Sequence, residues 1–160
     1  MVEVVVGIDF GSSGSGFAYA FIDNKNEIIH GMIHGANVDN KVPTEIILDD
    51  NNNTVKFGAE CIEYIKKRGT KAGHYIKEIK MNLYGKKTEI QAKNSEKIFP
   101  LVLVIQRVLE KLKDLAIADI KKHRPIAQNN IKYVVTVPAI WEEFQKNIVC
   151  YLRHFFFICK

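Results

Sequence analysis

The sequence has little with which to staple itself or ligate a metal. Its three cysteines, Cys61, Cys150 and Cys159, are odd in number and widely spaced. They set out neither a disulfide framework nor a metal-ligand pattern, so reduced thiols are expected. The five histidines, at positions 30, 34, 74, 123 and 154, follow no metal or catalytic spacing and receive no role. Apolar runs fall far short of the ~20 residues needed to span a bilayer. The stretch from Met1 to Gly7 has no basic flank, and its apolar run is cut at Asp9, unlike a secretory signal. There is no linker and no internal repeat. A cytoplasmic protein without a membrane partner is the expectation.

What is present describes a soluble globular chain. Hydrophobic residues make up 47% and charged residues 26%, and 160 residues suit one domain with one core. The net charge of +5 raises the question of a polyanionic partner. The basic residues are, however, scattered among Glu and Asp, and only Lys66, Lys67, Arg68 and Lys71 cluster. No aromatic residues interleave with them for base stacking, so this cluster reads as a solvated helix end, with no nucleic-acid partner.

Patterning predicts strands first and helices later. Val2 to Phe10 is β-branched and stops at Gly11, as a buried strand does. Phe17 to Ile22 resumes as a second strand, and Glu27 to Ile33 forms a third after a polar turn. So short a loop makes the first pair antiparallel. That excludes a dinucleotide-binding or Walker-type loop, which leads from its strand into a helix. Val42–Leu48 and Thr54–Phe57 read as further strands, and 58–68 and 73–84 as helices, with Ala59, Ile62 and Ile65 on one face of the first. A long helix is expected from Pro100 to about His123, with Val104, Ile105, Val108, Leu112 and Leu115 on its buried face. Ile131 to Val137 is a strand closed by Pro138, and a last helix begins near Glu142. The order implies an α/β fold, a mixed sheet with flanking helices.

The chemistry is concentrated in Gly7-Ile8-Asp9-Phe10-Gly11-Ser12-Ser13-Gly14-Ser15-Gly16. Glycines let the backbone turn tightly with its N–H groups pointing inward, a nest for phosphate oxygens to which Ser hydroxyls add donors. Asp9 ends the strand beside that nest, where a carboxylate commonly serves a Mg²⁺ ion carrying phosphates, often through water. A Gly/Ser hairpin turn alone needs none of this; the Asp next to it tilts the reading toward phosphate.

Asp-Phe-Gly-Ser-Ser resembles the first phosphate motif of the actin, sugar-kinase and heat-shock ATPase superfamily. Within it, the chain looks most like the 70-kilodalton heat-shock chaperones and their divergent A12-type branch. Val42-Pro43-Thr44 followed by Phe57-Gly58 is similar to that family's early strand pair, and Lys77-Glu78-Ile79-Lys80-Met81 resembles the segment bearing its catalytic lysine. Val135-Thr136-Val137-Pro138-Ala139-Ile140-Trp141 resembles the divergent branch's strand-to-helix junction. The four matches occur in the family's order across positions 7–152.

The resemblance implies an actin-like (ribonuclease H-like) lobe, the partial N-terminal lobe of a nucleotide-binding domain over residues 1–152, with ATP or ADP and Mg²⁺ as cofactors. Asp9 would hold the Mg²⁺ through water, Gly11, Ser12 and Ser13 would cradle the β- and γ-phosphates with Ser15 nearby, and Lys80 would reach the γ-phosphate or the attacking water. Lys77 is the rival for that last role. Pro138 ends a strand or takes part in communication between domains, and Trp141 is a packing aromatic. The family's second phosphate loop, hydrolytic acidic residue and adenosine-contacting segments do not occur here, so the fragment is expected to be inactive or very weak as an ATPase. A non-hydrolysing sensor or scaffold of the same fold and a fragment of a small-molecule kinase are the alternatives. Partners of a longer form would be co-chaperones or clients. Residues 153–160, with three consecutive phenylalanines, depart from the family pattern and read as an atypical tail.

Overall fold

The structure, a computed structural model, describes residues 1–33, 40–136 and 141–151. The expectations for Pro138 and for the tail at 153–160 fall outside them.

Strand β1 (Val4–Asp9) is the centre of the fold. Its side chains alternate, Val4, Val6 and Ile8 being fully buried, as a strand with one face on a core requires. It pairs antiparallel with β2 (Gly14–Phe21) and parallel with β10 (Ile131–Thr136). The sheet is therefore mixed, as the element order implied. β2 begins at Gly14 rather than Phe17, which tightens the intervening loop to Phe10–Ser13. The far edge of β2 takes two short strands in succession, β3 (Ile29–His30) against Ala18 and Tyr19, and β4 (Val42–Pro43) against Gly14 and Ser15.

The expected single strand Val42–Leu48 is broken in two. Beyond β4 the chain leaves the first sheet at Thr44 and Glu45, and β5 (Ile46–Leu48) becomes the centre of a second, antiparallel sheet between β6 (Thr54–Phe57) and β7 (His74–Ile76). A run of apolar residues carries no mark of this change of partner.

Helix α1 (Glu60–Arg68) covers the outer side of that sheet. Cys61, with Tyr64 and Ile65 beside it, packs on Ile47 and Tyr75, whereas Ile62 is 44% exposed and Ala59 is exposed. The expected face was thus rotated: Cys, a small hydrophobe, takes the buried position. The expected helix 73–84 is also corrected. Its first part is β7, and Glu78, left-handed at φ 60°, separates that strand from helix α2 (Ile79–Tyr84). Pairing with β5 overrides the helical period. A hairpin of β8 (Glu89–Gln91) and β9 (Ile98–Pro100) follows. Its tip docks on β7, where Asn94 accepts from the Tyr75 N–H and Ser95 meets His74, whose other ring nitrogen meets Asp50.

Helix α3 (Leu101–His123) starts one residue after Pro100, buries the expected apolar face and contacts both larger sheets. Its one buried charge, Asp119, accepts a hydrogen bond from Tyr19 and pairs with Lys122. Helix α4 (Glu143–Tyr151) closes the described chain. No helix among the described residues is long and apolar enough to cross a membrane.

Candidate functional site

The Phe10–Ser13 loop sits where β1 and β2 join, and two features fix its shape. A Cβ at Gly11 would stand 1.9 Å from the Gly14 carbonyl oxygen, so the loop closes too tightly for any side chain there. Beneath it, the Gly11 N–H donates to Ser15 Oγ (3.1 Å), Ser15 and Thr44 hydroxyls meet at 2.7 Å, and Thr44 Oγ1 donates to the Gly11 carbonyl (2.8 Å). Thr44 is committed as donor to Gly11, so Ser15 donates to Thr44 and every polar atom in the ring is satisfied. The Thr44 N–H also donates to the Ser13 carbonyl. This is why β4 and β5 part company at Thr44: the residue between the sheets braces the loop.

The expected phosphate residues therefore divide. Ser12 and Ser13 are exposed at the loop's outer rim. Ser15 is fully buried, its hydroxyl engaged by Gly11 and Thr44. It holds the loop in shape and does not face outward with the other two.

Lys80 arrives from the first turn of α2, which is anchored by the buried Ile79 and Leu83. Its ammonium donates to the Phe10 carbonyl at 2.6 Å and lies 5.8 Å from the centre of the Phe10 ring and 5.3 Å from that of Trp141. Burial holds its pKa below the usual lysine value; Asp9 pulls the other way, and Lys41 adds a smaller downward push. An ammonium poised this way is partly stripped of water and stands to gain from an incoming anion. Lys77 lies just ahead of Glu78, whose carboxylate is held by Lys93 at 2.7 Å. Trp141, 4% exposed, is the packing aromatic its sequence context implied.

Asp9 ends β1 opposite Gly16 and Thr136. Its carboxylate is 2.7 Å from the ammonium of Lys41, the residue before β4. Sequence reading assigned nothing to Lys41 or to the Thr44 hydroxyl. The Val-Pro-Thr match pointed at the right segment, yet only the pairing of β4 with β2 turns both side chains onto the loop.

The fit of Mg²⁺ can be tested on these groups. Hard divalent cations gather oxygen ligands, usually with more than one carboxylate or with substrate phosphates. Here Asp9 is already ion-paired, and Lys80 lies close enough to feel its charge. No group of three or more His, Cys, Asp or Glu side chains able to hold a metal occurs among the described residues. The carboxylate expected to serve Mg²⁺ is held by the Lys41 ammonium at 2.7 Å, which is a poor fit for a resident dication.

No protein-family profile matches the chain. It is similar to heat shock 70 kDa protein 12A of Mus musculus, 28% identical over 166 residues. It is also similar to heat shock 70 kDa protein 12B of Homo sapiens, 27% identical over 162 residues. These alignments take in 91% and 92% of this chain and 24% and 23% of the relatives, so the chain spans about a quarter of the curated relatives it matches. The resemblance to the 70-kilodalton heat-shock family and its A12-type branch is thereby borne out, and the mixed sheet with flanking helices is that of a partial actin-like lobe.

Proposed function

We propose that this chain is the phosphate-gripping part of a heat-shock-70-type nucleotide-binding lobe, binding ATP or ADP through the Gly11–Ser13 loop and Lys80. The observation that supports this reading is the arrival of the Lys80 ammonium at the Phe10 carbonyl, 70 residues distant in sequence, beside two exposed serine hydroxyls. A tight loop with two exposed serines, next to a partly buried cation, is a receptor for a phosphate chain.

In this reading Ser12 and Ser13 contact phosphate oxygens, Lys80 stabilises charge on the terminal phosphoryl group, and Ser15 and Thr44 hold the loop rigid. A rigid loop matters because a binding geometry that must be ordered on each encounter loses affinity. The residues described here grip phosphate and carry no turnover of their own, so hydrolysis, clients and co-chaperones belong to a longer protein, working in the reducing cytoplasm where Cys61 stays a thiol. A nucleotide-sensing module that never hydrolyses ATP shares the same grip.

Calorimetric titration of the 160-residue chain with ATP tests the reading. Lys80→Met and the double variant Ser12→Ala/Ser13→Ala should each weaken binding by about tenfold or more, the loss of one charge-assisted contact. Phosphate release should stay at the level of buffer, with or without small-molecule acceptors; acceptor-dependent release would instead indicate a kinase. Binding that ignores both variants would move the nucleotide elsewhere.

A further inference from the structure

Away from the phosphate loop, and independent of what binds there, we infer that Asp50, His74 and Ser95 form a nucleophilic serine site that takes short acyl esters.

Three separate segments supply the side chains. Asp50 comes from the turn between β5 and β6, His74 opens β7, and Ser95 stands at the tip of the β8–β9 hairpin. His74 Nε2 lies 3.0 Å from Asp50 Oδ1, and His74 Nδ1 lies 2.8 Å from Ser95 Oγ. These partners stand 24 and 21 positions from the histidine, which is why the sequence shows no catalytic spacing. The hairpin tip does not need Ser95 to stay in place. Asn94 accepts from the Tyr75 N–H and donates to the Gly73 carbonyl, and the Lys93 N–H donates to the Tyr75 carbonyl at 2.7 Å. The His74 side chain is only 16% exposed, and its ring packs at 5.4 Å on the buried ring of Phe99. Histidine and serine are therefore both held before any ligand arrives.

This pairing sets the tautomer. A carboxylate only accepts, so the proton of the neutral imidazole sits on Nε2, and Nδ1 accepts the Ser95 hydroxyl proton. An imidazole held in this way is a general base for a serine nucleophile, whichever of its nitrogens faces which partner. Asp50, an exposed carboxylate, orients the ring and is a positioning residue. The three residues border a cavity of about 300 Å³ whose walls include Val55, Tyr64, Ala72 and Lys71. Its apolar walls suit a short acyl chain, and Lys71 puts a cation among them to meet the negative charge that develops on a carbonyl oxygen. Ser95 Oγ attacks the ester carbonyl, its proton passes to His74 Nδ1, and the alcohol leaves with that proton as the ester C–O bond breaks. Water, deprotonated by the same imidazole, then attacks the acyl group, releasing the acid and restoring Ser95.

The test traps the serine. Diisopropyl fluorophosphate is added to the 160-residue chain; an activated serine forms an Oγ–P bond as fluoride leaves, and peptide mass spectrometry locates it. Ser95 should carry the label, with Ser12 and Ser13, the exposed serines of the phosphate loop, as the internal comparison. Release of 4-nitrophenol from 4-nitrophenyl acetate should fall about a hundredfold in Ser95→Ala and in His74→Gln, the loss of nucleophile or general base. Asp50→Asn should lose about tenfold, and Asp50→Glu should restore most of it, a rescue that a residue merely shaping the turn would not give. Melting curves report whether each variant folds, and the wild-type labelling decides the matter even where His74→Gln does not. An unlabelled Ser95 in the folded wild-type chain, label spread evenly over Ser12, Ser13 and Ser95, or a folded His74→Gln chain that cleaves the ester at the wild-type rate would each overturn the inference.

Discussion

The hydroxyls of Ser15 and Thr44 meet at 2.7 Å where neither residue is more than 2% exposed. They stand 29 positions apart in sequence, Ser15 on β2 and Thr44 just after β4, and between them they satisfy both the N–H and the carbonyl of Gly11. Ser15→Ala removes the acceptor of the Gly11 N–H and the donor to Thr44, leaving buried polar groups without partners. The expected cost is about 1–3 kcal/mol, and a chain of this size loses roughly 2–4 °C of melting temperature per kcal/mol. Thr44→Val should cost a similar amount, and the double variant less than the sum, because the two residues share one network. Additive losses in thermal melts would show that the ring is not a unit.

Lys80 links phosphate binding to protons. Burial lowers its pKa from 10.5, so in the free protein the ammonium is deprotonated more readily than in an unfolded chain. Between the lowered value and 10.5 the unfolded chain binds more protons, and this residue's contribution to stability rises with pH. Phosphate acts in the opposite sense, favouring the charged form. ATP binding at alkaline pH, below 10.5, should therefore take up protons, visible as a binding enthalpy that changes with the ionisation enthalpy of the buffer. The uptake should vanish in Lys80→Met. Uptake that persists in that variant would assign the proton to another group.

Much of this molecule was legible in its sequence, and the failures share a cause. β1, β2, β10 and α3 were readable because each has a strong period and one partner surface. The loop was readable because Gly11 and its neighbouring Asp9 are local signals. Reading failed wherever a residue's role depends on which sheet the chain joins. The split of Val42–Leu48 at Thr44, and the strand His74–Ile76 inside an apparent helix, are set by pairing with distant strands. The same pairing turned Lys41 from an unremarked charge into the partner of Asp9, and Ser15 from an expected phosphate donor into a buried brace. Lys80 could be named from its motif, but only the fold places it at Phe10.

Tyrosine ionisation offers a test of the core that does not involve the loop. Burial, then the charge of Asp119 and a hydrogen bond to it, push Tyr19 up to about 12. Burial and, less, Asp114 push Tyr133 up to about 12 as well, and burial with a hydrogen bond to Glu45 raises Tyr75. All three favour the neutral phenol in the fold. Their stabilising contribution is complete below pH 10, the unfolded value, and is lost as pH climbs toward about 12. Ultraviolet titration of the six tyrosines should therefore show an early phase near the ordinary value and a late phase from these three. The late phase should coincide with loss of near-ultraviolet circular dichroism as the core opens. Asp119→Asn removes the negative charge facing Tyr19, so part of the late phase should move to lower pH while the signal of Tyr133 stays in place. One transition near 10 in a chain that circular dichroism shows to be folded would mean that Tyr19 is not packed against α3 as the structure has it.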